Sequence, residues 1–202
     1  MSGRFTIADV SSRLYWVLAP VRRGLRLSWY RMNKEAMAFL FLTGLVLGAL
    51  GFGVHAVFTQ QDRARERVRE AELQDLTCLA RNVYFEARGE PEAGQYAVAE
   101  VTMNRRASSS YPDTVCAVVH EKRWDAIRGR YVGAFSWTEF DVLPEPRGEE
   151  WERAWQVAED VYYRREPPRM QGVLHFHAQH VRPAWAKERK LAARIGRHVF
   201  YR

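Results

Sequence analysis

The run MAFLFLTGLVLGALGFGVHAVF, Met37 to Phe58, is 22 residues long and contains no Asp, Glu, Lys or Arg. No other feature limits the fold as strongly. As a helix it rises about 33 Å, enough to cross a hydrocarbon core of about 30 Å. An uncharged helix of that length is hard to bury in a chain of 202 residues, so the run predicts a span held in a lipid bilayer. Within it Gly44 and Gly48 form a G-x-x-x-G pair, followed by Gly51 and Gly53. Small residues on one face let two spans approach closely, which makes this face the candidate for a homodimer contact.

Charge orients the span. Residues 1–36 carry seven Arg or Lys against Asp9 and Glu35, a net +5, whereas the segment QQDRARERVREAE that follows alternates in sign. The basic lead is expected to stay in the cytoplasm and the larger C-terminal part to lie outside it. The length of the lead and of the apolar run argues for a retained span rather than a cleaved signal peptide. A glycine-rich span of this kind also suits a releasable anchor, although the long basic lead favours a permanent one. The whole chain is +7, but most of the excess belongs to the lead, so it is a topology signal and no nucleic-acid partner is expected. Residues 13–32 interleave Trp16, Trp29 and Tyr30 with arginines and suit either an anionic membrane surface or a disordered tail. The expected organisation is a basic segment 1–36, a span 37–58, a charged connector 59–72 and a globular domain 73–202.

A domain of that size buries one core. Its cysteines are Cys78 and Cys116, and outside the cytoplasm they are expected to form a disulfide. Helical periodicity predicts a first helix over Asp75 to Arg88, ended by Gly89, and a second opened by Pro91 and running to Arg106. Thr114 or Asp113 caps a short third helix. Residues 123–147, rich in Gly, Pro and aromatics, suit irregular strands or a hairpin. Glu149 to Tyr163 returns to helix, and GVLHFHA and IGRHVFYR alternate like strands.

One carboxylate stands out in this pattern. Leu76, Leu79, Ala80, Val83 and Ala87 form an apolar stripe in the first helix, and Glu86 sits at its edge. Apolar neighbours and a helix C-terminus both disfavour the ionised form, which suits a general acid working near neutral pH. Glu90 and Glu100 are the rival carboxylates, the latter on a face with Ala93, Ala97 and Asn104.

The motifs LARNVYFEARGE, GQYAVAEVTMNR, YPDTVCAVV, FSW, LHFHAQHVRPAWA and IGRHVFYR occur in an order that resembles the cell wall hydrolases related to the spore cortex-lytic enzyme SleB. The likeness runs from about residue 76 to 202. It implies a lysozyme-like lytic transglycosylase fold, mainly α with a small β-hairpin or sheet (α+β), preceded here by one transmembrane helix. It also implies action on peptidoglycan glycan strands, no cofactor and no metal, with the catalytic glutamate as first acid of E-A-R-G-E, which is Glu86. In that chemistry the acid protonates the bond between N-acetylmuramic acid and N-acetylglucosamine, then as a base takes the muramoyl C6 hydroxyl proton, giving a 1,6-anhydro end. Many relatives carry Cys-Gln before the F-S-[FW] triplet and a second cysteine after it. This chain has Gly133, Ala134 and Glu139 there, which predicts that a local disulfide is lost.

Candidate substrate-binding residues are Tyr84, Arg88, Ser136, Trp137, Thr138 and His177, with Trp185 as a further aromatic and Phe135 read as a core residue before a stacking one. Tyr84 and Trp137 offer rings to sugar faces, Arg88 a cation for a wall carboxylate or for Glu92, and Ser136 and Thr138 hydroxyls on the opposite face of an expected strand. Three other functions compete. A hydrolytic muramidase would need help from Glu90, Glu100, Glu139 or Asp141. A zinc-dependent amidase would use His175, His177, His180 or His198, although H-E-x-x-H is absent. A membrane-tethered wall-binding module would need no acid at all.

Overall fold

The computed structural model describes residues 33–126 and 128–202, so the basic lead and the 13–32 segment lie outside the described residues. The chain forms two compact units, 1–64 and 65–202.

In the first unit the described chain belongs to helix α1 (Lys34–Ala87). Every side chain from 38 to 58 is exposed, and the helix is long and apolar enough to cross a membrane. A continuous apolar surface of this extent suits lipid, not water. A Cβ built on Gly44 or Gly48 meets nothing within 4 Å, so this face is open. The charged connector, whose composition is compatible with helix, is helical and belongs to the same element as the apolar run and residues 75–87. Residues 59–75 contain neither Gly nor Pro, and their Glu, Arg, Ala and Gln residues favour helix throughout.

In the second unit, Leu76, Leu79, Ala80 and Val83 near the end of α1 are at most 4% exposed. They face helix α2 (Glu92–Arg106), preceded by Pro91, together with α3 (Val115–Val119) and α4 (Glu149–Tyr162). Thr114 caps α3, its side chain accepting from Ala117 N at 3.2 Å. A disulfide joins Cys78 in α1 to Cys116 in α3, with Cα atoms 5.2 Å apart, as the sequence led us to expect. The other side of α2 uses Ala97, Val98 and Val101 to pack on Met170, Val173 and Phe200. Strands β1 (Lys122–Asp125) and β2 (Arg130–Gly133) form an antiparallel hairpin. Strands β3 (His175–Ala178), β4 (Leu191–Ile195) and β5 (His198–Tyr201) form an antiparallel sheet in the order β3-β5-β4, with β5 buried along its length. The architecture is the expected mainly helical α+β type.

The expected strand through Ser136, Trp137 and Thr138 is instead a 3₁₀ turn, Ser136–Glu139. The Phe135 carbonyl accepts both the Thr138 N–H at 3.1 Å and the Thr138 hydroxyl at 2.7 Å, which closes the chain into a turn. Alternation of side chains between two faces is therefore lost.

Candidate active site

The 3₁₀ turn builds the surroundings of Glu86. Ser136 Oγ donates to Glu86 Oε1 at 3.3 Å, and the backbone N–H groups of Ser136 and Trp137 lie on the side that favours its carboxylate form. These are first-turn N–H groups, which have no partner within their own helical turn. A buried polar relay holds them in place. Trp137 Nε1 donates to Asn82 Oδ1 at 2.8 Å, Asn82 Nδ2 to Thr102 Oγ1 at 3.0 Å, and Thr102 Oγ1 to the Val98 carbonyl at 3.0 Å. Asn82 and Thr102 are fully buried, and Phe85 stacks on Trp137 with ring centres 4.9 Å apart. The turn is thus anchored to α1 and α2 at once, one residue beyond the hydroxyl that meets Glu86.

Burial raises the Glu86 pKa. The Ser136 hydroxyl, the Trp137 and Ser136 N–H groups and the Arg105 charge pull it part of the way back. The result is a half-buried carboxyl group that keeps its proton to higher pH than usual, with the Ser136 hydroxyl already bonded to the carboxylate it leaves behind.

The rival carboxylates are committed elsewhere. Glu90 is buried, and its oxygens accept from Arg197 N at 2.7 Å and Arg197 Nε at 2.6 Å. Burial pushes its pKa up, but the Arg197 N–H and guanidinium, with His198, outweigh that and hold it below the usual value. Gly196 allows the approach: it has φ +54°, and a Cβ there would collide with the Glu90 carboxylate. Glu100 accepts from Met170 N at 2.6 Å, and burial raises its pKa. It lines a cavity of about 520 Å³ with Tyr96, Asn104, Asp160 and Glu166. This is a larger cavity than the cleft described below, but Glu86 is not part of its wall.

Several binding candidates are differently placed from the sequence expectation. Trp137 is 6% exposed, its ring against Phe85 and its N–H on Asn82, so it supports the site from inside. Tyr84 is 5% exposed, with the Arg88 guanidinium 5.0 Å over its ring and Trp151 at its edge. Arg88 is exposed and covers that ring. The Thr138 hydroxyl turns back to the Phe135 carbonyl. Phe135 is buried. His177 stacks on Tyr201, with Nε2 3.1 Å from the Tyr201 hydroxyl and Nδ1 2.9 Å from the Ala178 carbonyl. Of the named set, Ser136 alone reaches Glu86 by hydrogen bond. Among the described residues no group of three or more His, Cys, Asp or Glu side chains is arranged to hold a metal ion.

Where the resemblance predicted a lost disulfide, a polar clamp stands. Glu139 accepts from Gly133 N at 3.2 Å and pairs with Arg130 Nη2 at 2.8 Å. A Cβ on Gly133 would collide with the Thr138 hydroxyl, so this close return of the turn requires glycine.

Sequence reasoning passed over Arg105. It is 8% exposed, donates from Nε to the Leu174 carbonyl at 2.8 Å, and lies close enough to Glu86 for each to feel the other's charge. An open cleft of about 290 Å³ extends from it, lined also by Tyr111, Glu121, Arg123, His175 and Trp185.

A family model described as Cell Wall Hydrolase matches residues 89–201, more than half of the chain. The chain belongs to the Cell Wall Hydrolase family. Glu86 lies three residues before the matched span. This cell wall hydrolase is 53% identical over 49 residues to a spore cortex-lytic enzyme of Oceanobacillus iheyensis, covering 24% of the chain and 18% of that relative. It is 30% identical over 129 residues to the spore cortex-lytic enzyme of Bacillus subtilis, covering 62% of the chain and 37% of the relative. The hydrolase therefore spans well under half the length of these curated relatives. Among solved structures it is similar to the catalytic domain of the germination-specific lytic transglycosylase SleB from Bacillus anthracis, at 29% identity and a TM-score of 0.49, covering 63% of this chain and 93% of that one.

Proposed function

We propose that this cell wall hydrolase cleaves peptidoglycan glycan strands between N-acetylmuramic acid and N-acetylglucosamine as a lytic transglycosylase, with Glu86 acting first as acid and then as base. The observation that carries this reading is the setting of Glu86. Burial raises the pKa of its carboxyl group, while the Ser136 hydroxyl at 3.3 Å and the N–H groups of Ser136 and Trp137 favour the carboxylate that proton donation leaves. Proton donation to the glycosidic oxygen turns Glu86 into a carboxylate, and the muramoyl C6 hydroxyl gives up its proton to that carboxylate as its oxygen closes on C1. One acid serves both steps. Hydrolysis usually uses two carboxyl groups, and Glu90 and Glu100 are tied to Arg197 and Met170 respectively. That favours the anhydro product over a muramidase. No specific observation favours the zinc amidase or a wall-binding module without activity.

The same proposal puts residues 1–36 in the cytoplasm, the 37–58 span in the membrane, 59–72 as connector and the catalytic domain, 73–202, outside. The basic lead supports this orientation, as does a disulfide, which persists in oxidising compartments. The open Gly44/Gly48 face is the proposed homodimer contact. Mass spectrometry of peptidoglycan digested by the detergent-solubilised full chain tests the chemistry: 1,6-anhydromuramoyl ends are expected. Reducing muramoyl ends alone would replace the mechanism with hydrolysis, and release of peptides from intact glycan would replace it with an amidase. A periplasmic reporter fused after Arg202 is expected to be active; activity of a cytoplasmic reporter there would reverse the orientation.

A further inference from the structure

Arg105 is a buried cation that the reaction above leaves without a task. Arginine does not shed its proton in a protein, so a buried guanidinium remains charged and is costly unless something compensates it. Its Nε bonds the Leu174 carbonyl, while the guanidinium carbon lies 5.1 Å from the centre of the Phe135 ring and 5.5 Å from that of Tyr111. Among the described residues no carboxylate stands within ion-pair distance, and the terminal nitrogens have no protein acceptor. What those nitrogens do have is the open cleft of about 290 Å³.

The other charges lining that cleft cancel. Arg123 donates from Nε to Glu121 Oε1 at 2.9 Å and from Nη2 to the Ser110 carbonyl at 3.1 Å. His175 stays neutral, since burial and then the Arg189, Arg105 and Arg123 charges push its pKa down to about 4. One uncompensated positive charge remains, on a planar fork whose faces are covered by rings. Fork geometry suits a carboxylate. Trp185 adds an apolar wall.

We propose that this cleft is a carboxylate subsite in which the Arg105 fork holds the acidic group carried on the muramoyl unit of the strand. The inference rests on the glycan-cleaving reading and adds a specificity element to it. The subsite adjoins the acid: Phe135, on which Arg105 stacks, immediately precedes Ser136, which bonds Glu86. Occupancy would also act on Glu86. The Arg105 charge draws the Glu86 pKa down; a bound carboxylate cancels that influence, so the acid is best protonated when substrate is in place. The carboxylate has two sources, the free lactyl group of a peptide-free strand and the acidic groups of an attached peptide.

The test titrates the full chain in detergent, by tryptophan fluorescence, with three probes: the N-acetylglucosaminyl–N-acetylmuramic acid disaccharide, its lactyl methyl ester, and the disaccharide bearing an acidic dipeptide. At least one acidic probe is expected to bind about 10-fold or more tightly than the ester, and the tighter of the two acids identifies the source. Arg105→Gln is expected to erase the difference and Arg105→Lys to keep part of it. Equal binding of ester and both acids by the wild-type chain would overturn the subsite, as would an Arg105→Gln variant that is folded by circular dichroism and still discriminates. If Arg105→Gln does not fold, the wild-type comparison decides alone. Cleavage is scored separately: a chain that cuts glycan without discriminating retains the activity and loses the subsite, and one that discriminates without cutting does the reverse.

Discussion

Glu86 and Glu90 lie four residues apart in E-A-R-G-E, yet their surroundings have opposite consequences. Glu90 closes a clamp, with Arg197 supplying a backbone N–H and a side-chain nitrogen to its two oxygens, and a left-handed Gly196 giving them room. Glu86 faces a looser set of donors from a 3₁₀ turn and is only half-buried. Both pay for leaving water, but only Glu90 is repaid in full, so its pKa falls while that of Glu86 rises. Partners that saturate a carboxylate make it structural. A shortage of them leaves a proton to give.

The largest effect expected from breaking this contrast is on rate. Glu86→Gln keeps shape and hydrogen-bonding reach but removes the transferable proton, so glycan cleavage should fall by about 10² to 10⁴-fold or more with the fold intact. Anhydro ends are quantified by mass spectrometry, and near-full activity in a folded variant would remove Glu86 from the mechanism. Glu90→Gln should do the reverse, costing about 2–3 kcal/mol of stability in urea unfolding by weakening charge-assisted bonds to Arg197. Any loss of rate should follow the loss of folded protein. A stable Glu90→Gln chain that cannot cut would exchange the two roles.

A pH series sharpens the contrast through its sign. Glu86 has a folded pKa above its ordinary value of 4.5, so its contribution to stability is full below that value and is lost as pH rises through the folded pKa. Glu90 has a folded pKa below 4.5, so its contribution is present above that value and is lost as pH falls through the folded pKa. The deficit of Glu90→Gln against wild type should therefore shrink in acid. Glu86→Gln should gain on wild type as pH rises above about 4.5. Parallel curves for the two variants would show that the carboxylates do not differ as described.

What could be read from the chain beforehand depended on how local the cause was. Glu86 stood out because its burial follows from the register of its own helix, and Thr114 because a cap acts within three residues. The Cys78–Cys116 bridge followed from compartment and cysteine count. Glu90 was ambiguous because its partner is 107 residues away. Trp137 is a sugar-binding candidate as an aromatic ring, and Ser136 and Thr138 as hydroxyls on the opposite face of a strand, but the closing contact of the 3₁₀ turn, Thr138 to the Phe135 carbonyl, leaves no periodic trace. Arg105 sits in the last turn of α2 beside Arg106, where basic residues commonly complement the helix dipole. The packing of Phe135 and Tyr111 around it, which makes it unusual, comes from segments that one helical pattern does not contain.

The smallest effect probes the hydroxyl that separates the Glu86 setting from simple burial. Ser136→Ala removes one donor to the carboxylate but leaves the N–H groups of Ser136 and Trp137, which belong to the backbone. A lost hydrogen bond to a charged group is worth about 1.5 kcal/mol or more when fully formed, and this one is long, so the fall in kcat/KM should be about 3- to 10-fold. The direction in pH is more telling than the size. The hydroxyl lowers the Glu86 pKa by favouring the carboxylate, so its loss lets the pKa rise further, and the alkaline limb of the pH–rate profile should move to higher pH. The base step weakens because the carboxylate loses a donor, while the acid step persists to higher pH. A limb that moved to lower pH would mean that Ser136 stabilises the neutral acid, and the division between a saturated Glu90 and an under-coordinated Glu86 would no longer explain which one gives up its proton.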